Sequence, residues 1–290
     1  METVTCDLAS WIEAGPDAQR EFRQAVHLIL TAITLDGELR DIMVMKGGLL
    51  LAIRYQSGRF TKDLDFSTSK TGKDLDYDEL RMALERNLAM AVADSDYDLD
   101  CRIQRCRVNP PNEDAQFPNI ELTVGYAYKG TPKHKRLLQK QSPTTIEIDF
   151  NLNEPILGVE SLMLGEGAAL RAYSCSDLVA EKLRSLMQQE VRNRYRRQDI
   201  YDLRMLLENG ITEEGKEEIL RSLMKKARAR GIEPTPDSLA APEIRRRAAR
   251  DYQTLADEIE GELPNFDQSY GVVEAFYRAL PWATLQGEAP

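Results

Sequence analysis

The sequence predicts a mixed α/β (α+β) protein in which a mixed sheet with helices is followed by a helical C-terminal part. Three observations predict it. Five stretches within the first 152 residues either alternate apolar with polar positions or run briefly apolar, as strands do. Helical spacings of three and four separate them, and beyond about residue 175 only the helical spacing remains. A chain of 290 residues can bury one large core or two modest ones, and two are expected here, 1–165 and 166–290. The junction is placed near 160–175, with glycines at 158, 165 and 167.

The elements follow in order. Residues 20–34 put Phe22, Val26, Ile29, Leu30 and Ile33 on one helical face. "DIMVMK" at 41–46 is short, apolar and ends at two glycines, which suits a buried strand, and a helix runs from about Gly48 to Ser57. In "DLDFS" at 63–67, Asp63 and Asp65 share one face of a strand, while Leu64 and Phe66 share the other. A helix over 74–92 precedes strands at 99–108, 118–128 and 143–152. The last of these sets Ile146, Ile148 and Phe150 against Glu147 and Asp149.

Further on, Ser174 and Asp177 make a capping box before "LVAEKLRSLMQQE". A helix from Gln198 ends at Asn209–Gly210, with an apolar stripe of Ile200, Leu203 and Leu207. More helices are expected at 213–230, 242–261 and 269–280.

Composition narrows the chemistry. No apolar run approaches the 18 or so residues of a membrane span, the longest being "LLLAI" at 49–53. The first 15 residues are acidic and lack a basic segment leading into a long apolar one, so no secretory signal is visible and a cytoplasmic location is expected. Cys6, Cys101, Cys106 and Cys175 are scattered, which reads as reduced structural thiols. Only His27 and His134 are present, and His27 in "AVHLIL" reads as a satisfied core histidine, so catalysis falls to carboxylates, lysines and arginines.

The formal charge of −10 argues against a protein that coats nucleic acid along its whole surface. Local basic stretches remain: seven Lys/Arg against three Asp/Glu over 182–207, and ten against five over 216–250.

One constellation stands out. Gly47 and Gly48 open a helix straight after a strand, which lets backbone N–H groups approach a phosphate, although a tight turn alone would also use them. Asp63 and Asp65 offer two carboxylates on one strand edge, a set suited to Mg²⁺ bridging the phosphates of a nucleoside triphosphate. Asp149 completes the cluster if its strand is adjacent. Taken alone, these acids would also fit a solvated strand face.

"KGG", a helix and then "RFTKDLDF" resembles the signature of the nucleotidyltransferase superfamily related to DNA polymerase β. More narrowly it is similar to the AbiEii/AbiGii family, the MenT-type toxins, whose first motif reads Lys-Gly-Gly, then Arg-x-Ser/Thr-x-Asp-Leu/Ile-Asp. "LVAEKLRSL" around Lys182 resembles the family's lysine motif, and "RRQDIYDL" at 196–203 its Arg/Lys-x-Asp-x-x-Asp-Leu motif. The resemblance implies a polymerase β-like nucleotidyltransferase fold, an NTP donor and Mg²⁺. It also implies transfer of NMP to the 3′ acceptor end of tRNA, a block on translation, and a cognate antitoxin partner.

On that reading Asp63 and Asp65 hold the metal, Asp149 orients or deprotonates the attacking hydroxyl, and Lys182 stabilises phosphate charge. Asp199 and Asp202 share one helix side, and the sequence leaves open which of them is functional or whether both serve the helix dipole. Leu49 stands where the family commonly has Ser or Thr, so nucleotide binding falls to backbone N–H groups at Gly47 and Gly48 with Lys46, Arg59 and Thr61. Arg192, Arg194, Arg196 and Arg197, with Tyr195 among them, read as a grip on RNA or as a solvated charged surface. Nucleotidylation of a protein or small molecule, or non-catalytic nucleotide binding, are the alternatives.

Overall fold

The computed structural model describes residues 2–111, 115–165 and 169–287; Gly167 lies outside them. Eight strands form one sheet: β1 Thr3–Thr5, β2 Val44–Lys46, β3 Asp63–Ser67, β4 Leu99–Asn109, β5 Asn119–Tyr128, β6 Thr145–Asn151, β7 Val159–Met163 and β8 Leu170–Tyr173. Their order across the sheet is β1-β7-β8-β2-β3-β6-β5-β4. The helices in the first part of the chain are α1 Leu8–Glu13, α2 Asp17–Thr34, α3 Gly37–Ile42, α4 Gly47–Arg54, α5 Tyr77–Asp94 and α6 Pro132–Leu138. After the sheet come α7 Cys175–Met187, α8 Arg197–Glu208, α9 Glu213–Arg228, α10 Pro242–Ala249 and α11 Phe266–Arg278. The chain divides into two compact units. The first takes the described residues up to Arg54, Lys62–Glu154 and Val159–Ala172; the second takes Tyr55–Thr61, Pro155–Gly158 and everything from Tyr173 on.

The first unit is built on the alternation of its strands. β3 runs parallel to β6 and antiparallel to β2, and β5 is antiparallel to both β6 and β4. Met45, Phe66, Phe150 and Ile120 therefore fall in one cross-strand row, and each is wholly buried. Every second residue points to the other face, which carries the polar positions. β2 is shorter than the sequence suggests: Asp41 and Ile42 close α3, whose start is fixed by Asp36 Oδ1 accepting from the Glu38 and Leu39 N–H groups at 2.8 and 3.0 Å. In α2, His27 sits 2.8 Å from the Tyr97 hydroxyl through Nδ1, and burial lowers its pKa. β7 and β8 are short strands whose alternation is too brief to mark them from sequence. No helix among the described residues is long and apolar enough to cross a membrane.

The second unit is helical, and its start departs from the capping box expected there. Ser174 Oγ accepts from the Asp177 N–H at 3.3 Å, but the Ser174 N–H donates to the Gly158 carbonyl instead of to Asp177. Asp177 has other work. Its carboxylate accepts from Ser222 Oγ at 2.5 Å and from the Leu157 N–H at 3.2 Å, and it lies 3.1 Å from Lys226 Nζ. Lys226, only 1 % exposed, also donates to the Pro155 carbonyl at 2.6 Å and stands 4.4 Å from the centre of the Tyr173 ring. A Lys226→Met variant leaves the Asp177 carboxyl buried without its partner cation, so we expect a loss of about 3–5 kcal/mol in urea unfolding. An unchanged midpoint would mean that the hub contributes nothing.

Two further departures concern the last helices. The stretch 242–261 is not one helix: α10 stops at Ala249, Asp251 takes a left-handed conformation (φ 58°), and Tyr252–Glu258 forms a 3₁₀ turn. In α8 the buried apolar stripe is Ile200, Leu203 and Leu206, with Leu207 half-buried.

Candidate functional site

In the first unit the predicted carboxylates stand side by side. Asp65 pairs in register with Asp149 on one side and with Lys46 on the other, and Asp63 pairs with Glu147. All five therefore share one face of the sheet. Asp63 is exposed, Asp65 and Asp149 are half-buried, and Lys46 is 7 % exposed. Asn119 Nδ2 donates to Asp149 Oδ1 at 2.9 Å, which fixes the carboxylate's direction, and Thr123 Oγ1 donates to Glu147 at 2.8 Å. Asn119 was not legible as a site residue; its only signal is a position two strands from Asp65 in the alternation of β5.

The first glycine has a second reason to be there. Gly47 has φ +78°, a region that disfavours side chains, and a Cβ built on it would lie 2.0 Å from Asp65 Oδ2. "KGG" and "DLD" are thus halves of one fitted contact. A Gly47→Ala variant is expected to lose about 1–3 kcal/mol from the backbone alone and to push the Asp65 carboxylate out of place. Thermal melting and nucleotide transfer would both fall, and wild-type values of both would contradict the close approach. Gly48, with no such conformation, follows as the second residue of α4.

The donor set suits a hard cation. Among the described residues no group of three or more His, Cys, Asp or Glu is arranged to hold a metal. Mg²⁺ commonly takes one or two protein carboxylates and fills its remaining positions with phosphate oxygens and water. Asp63 and Asp65, two residues apart on one strand face, match that pattern.

The second unit holds a buried ion cluster. Arg59 grips Asp202 with both ends of its fork, Nε to Oδ1 and a terminal nitrogen to Oδ2, each at 2.9 Å. Lys182 Nζ lies 2.6 Å from Asp202 Oδ2 and 3.3 Å from Asp199 Oδ1. All four side chains are at least nine-tenths buried. Burial works to neutralise Asp202, yet the charges of Lys182 and Arg59 and their hydrogen bonds outweigh it and hold its carboxyl below the ordinary value. For Lys182 burial likewise opposes the charge, and Asp202 with Asp199 overcomes it and raises the pKa. Arg59 behaves in the same way, with Asp202 as its main partner. Asp199 Oδ2 has no hydrogen-bond partner and lies 3.9 Å from Arg196 Nε. Neither acid serves only the helix dipole.

The arginine run is divided in its contacts. Arg192 and Arg194 are exposed in the turn that precedes α8. Arg196 leans on Asp199, and Arg197 reaches Glu258 at 2.6 Å and the Asp251 carbonyl at 3.4 Å. Thr61, half-buried, lies between Arg59 and Asp63 along the chain.

Comparison with known proteins bears on the family and the fold. The family model for AbiEii, described as nucleotidyl transferase toxin of a type IV toxin–antitoxin system, matches residues 28–276. No curated protein sequence matches the chain. The solved structure of MenT4, a nucleotidyltransferase toxin of Mycobacterium tuberculosis H37Rv, superposes with a TM-score of 0.57 at 17 % identity, over 96 % of this chain and 91 % of its own. JHP933 from Helicobacter pylori superposes with a TM-score of 0.52 at 14 % identity, over 94 % of this chain and 95 % of its own. At such identities the likeness speaks for the fold, a mixed sheet with helices like those of these structures, while the family match covers most of the sequence. The chain therefore belongs to the AbiEii family of nucleotidyltransferase toxins of type IV toxin–antitoxin systems.

Proposed function

We propose that the protein transfers a nucleoside monophosphate from an NTP to the 3′ end of tRNA, acting in the cytoplasm to block translation until a cognate antitoxin opposes it. The observation that supports this reading most is the seating of Asp65 over Gly47, in register with Asp149. It brings two strand carboxylates and a helix start together, a set suited to positioning a triphosphate and neutralising its charge.

The chain's own residues divide the task. Asp63 and Asp65 would hold Mg²⁺, which when bound supplies charge neutralisation at the triphosphate and the leaving pyrophosphate. Asp149, its direction set by Asn119, takes the proton of the attacking 3′ hydroxyl. The new bond forms from the 3′ oxygen to the α-phosphorus while the α–β bridging bond breaks and pyrophosphate departs. Gly47 and Gly48, with Lys46 and Thr61, bind the nucleotide. In the second unit Lys182 is kept protonated by Asp202 and Asp199, and Arg59 fixes Asp202.

Sequencing of tRNA 3′ ends from cells expressing the protein tests the reading. Added nucleotides past the acceptor end, missing when Asp65→Asn is expressed, are expected. Unaltered ends together with arrested growth would refute tRNA as the acceptor.

A further inference from the structure

Two neighbouring pieces of the second unit carry charge out of proportion to the rest of the chain. Residues 190–197 and 243–251 together hold eight arginines against three carboxylates, in a protein of formal charge −10. Arg196, Arg197 and Arg245 are drawn to the protein's own Asp199, Glu258 and Asp267. The others build a distinct surface. Tyr195, 37 % exposed, stands at its centre, with the Arg250 guanidinium 4.2 Å and the Arg247 guanidinium 5.5 Å from its ring centre. Arg250 also donates a hydrogen bond to the Tyr195 hydroxyl.

The remaining contacts hold these side chains in place, with Arg250 Nε standing 3.7 Å from Asp251 Oδ2. Arg247 is tied to Glu243 at 2.6 Å and to Asn193 Oδ1 at 3.2 Å. Arg246 sets two nitrogens on the same Glu243, each at 2.7 Å, so one acid serves two arginines. Even so, the Arg246 side chain is 64 % exposed and that of Arg250 54 %. A guanidinium already held flat loses less freedom when it takes a phosphate, and its fork matches phosphate oxygens two at a time. The exposed Tyr195 ring, with Arg250 over it, also offers a surface on which an unpaired base can lie.

We propose that Arg192, Arg194, Tyr195, Arg246 and Arg250 form a face that grips the sugar-phosphate backbone of the RNA acceptor. Nothing in the family motifs assigns α10 such a part. The inference rests on the reading of RNA as acceptor and adds where the RNA is held.

The test is fluorescence anisotropy of labelled tRNA with the full chain at several salt concentrations, comparing wild type with an Arg246→Gln/Arg250→Gln variant. Both positions are exposed, and an unchanged melting curve would verify folding. Affinity should fall about tenfold or more, and the salt slope should shrink by about 0.7–0.9 for each phosphate that the variant leaves unneutralised. In transfer assays the KM for tRNA should rise while kcat and the KM for NTP stay level. Wild-type affinity and slope in the variant, with tRNA still labelled by the wild type, would overturn the face alone. Absence of RNA binding by the wild type would overturn the face and the RNA reading together. Weakened antitoxin binding with tRNA binding intact would make the face a protein interface and also overturn the proposal.

Discussion

Nucleotide transfer by an Asp65→Asn variant should fall by at least about 10³-fold while the protein stays folded. Asn matches Asp in shape, so it can occupy the space left open above Gly47, where a Cβ would meet the Asp65 carboxylate at 2.0 Å. What it loses is the negative charge on a strand edge shared with Asp63 and faced in register by Asp149. Asp63→Asn should behave similarly, since the same cation would be held by both carboxylates. Single-turnover labelling of tRNA, alongside a melting curve within a few degrees of wild type, would check this. Activity within about tenfold of wild type in both variants would remove the pair from the reaction.

Removing Asp202 should cost stability on the scale of a broken buried ion pair, about 3–5 kcal/mol. In Asp202→Ala, Arg59 loses its bidentate partner and Lys182 keeps only Asp199, at 3.3 Å. The cluster's pH dependence has a definite sign. Asp202 has a folded pKa below its ordinary 3.8, so its contribution is complete above about pH 3.8 and is lost as pH falls through the folded value. Lys182 has a folded pKa above its ordinary 10.5, so its contribution is complete below about pH 10.5 and is lost as pH rises through the folded value. Urea midpoints measured across pH should therefore drop at both extremes, and the acid limb should be shallower in Asp202→Asn. Equal midpoints for wild type and Asp202→Ala at neutral pH would contradict a stabilising role for the cluster.

Much of the first unit was legible because its strands alternate cleanly. "DLDFS" and "TTIEIDFNL" each separate carboxylates from buried Leu, Ile and Phe, and both faces are where that pattern puts them. Adjacency was not legible: nothing in the two segments says that Asp65 and Asp149 pair, because β3 and β6 are separated by two helices and a long hairpin. In the sequence the Gly-Gly pair reads as backbone access for a phosphate. That it also makes room for Asp65 depends on an approach between β3 and the start of α4 that only three dimensions supply.

Long-range charge pairing was equally hidden. Arg59 and Asp202 lie 143 positions apart, and Asp177, a conventional capping residue by spacing, instead meets Ser222 and Lys226. The left-handed Asp251 that ends α10 carries no Gly or Pro signal, so the helix looked continuous. Short strands such as β7 and β8 carry too few alternating positions to stand out from a loop.

The most direct test of the central claim is incubation of the purified protein with Mg²⁺, total tRNA and each α-labelled NTP in turn, beside Asp65→Asn. The account predicts label in tRNA with at least one NTP and none with the variant. Unlabelled tRNA with every NTP, or equal labelling by the variant, would contradict it.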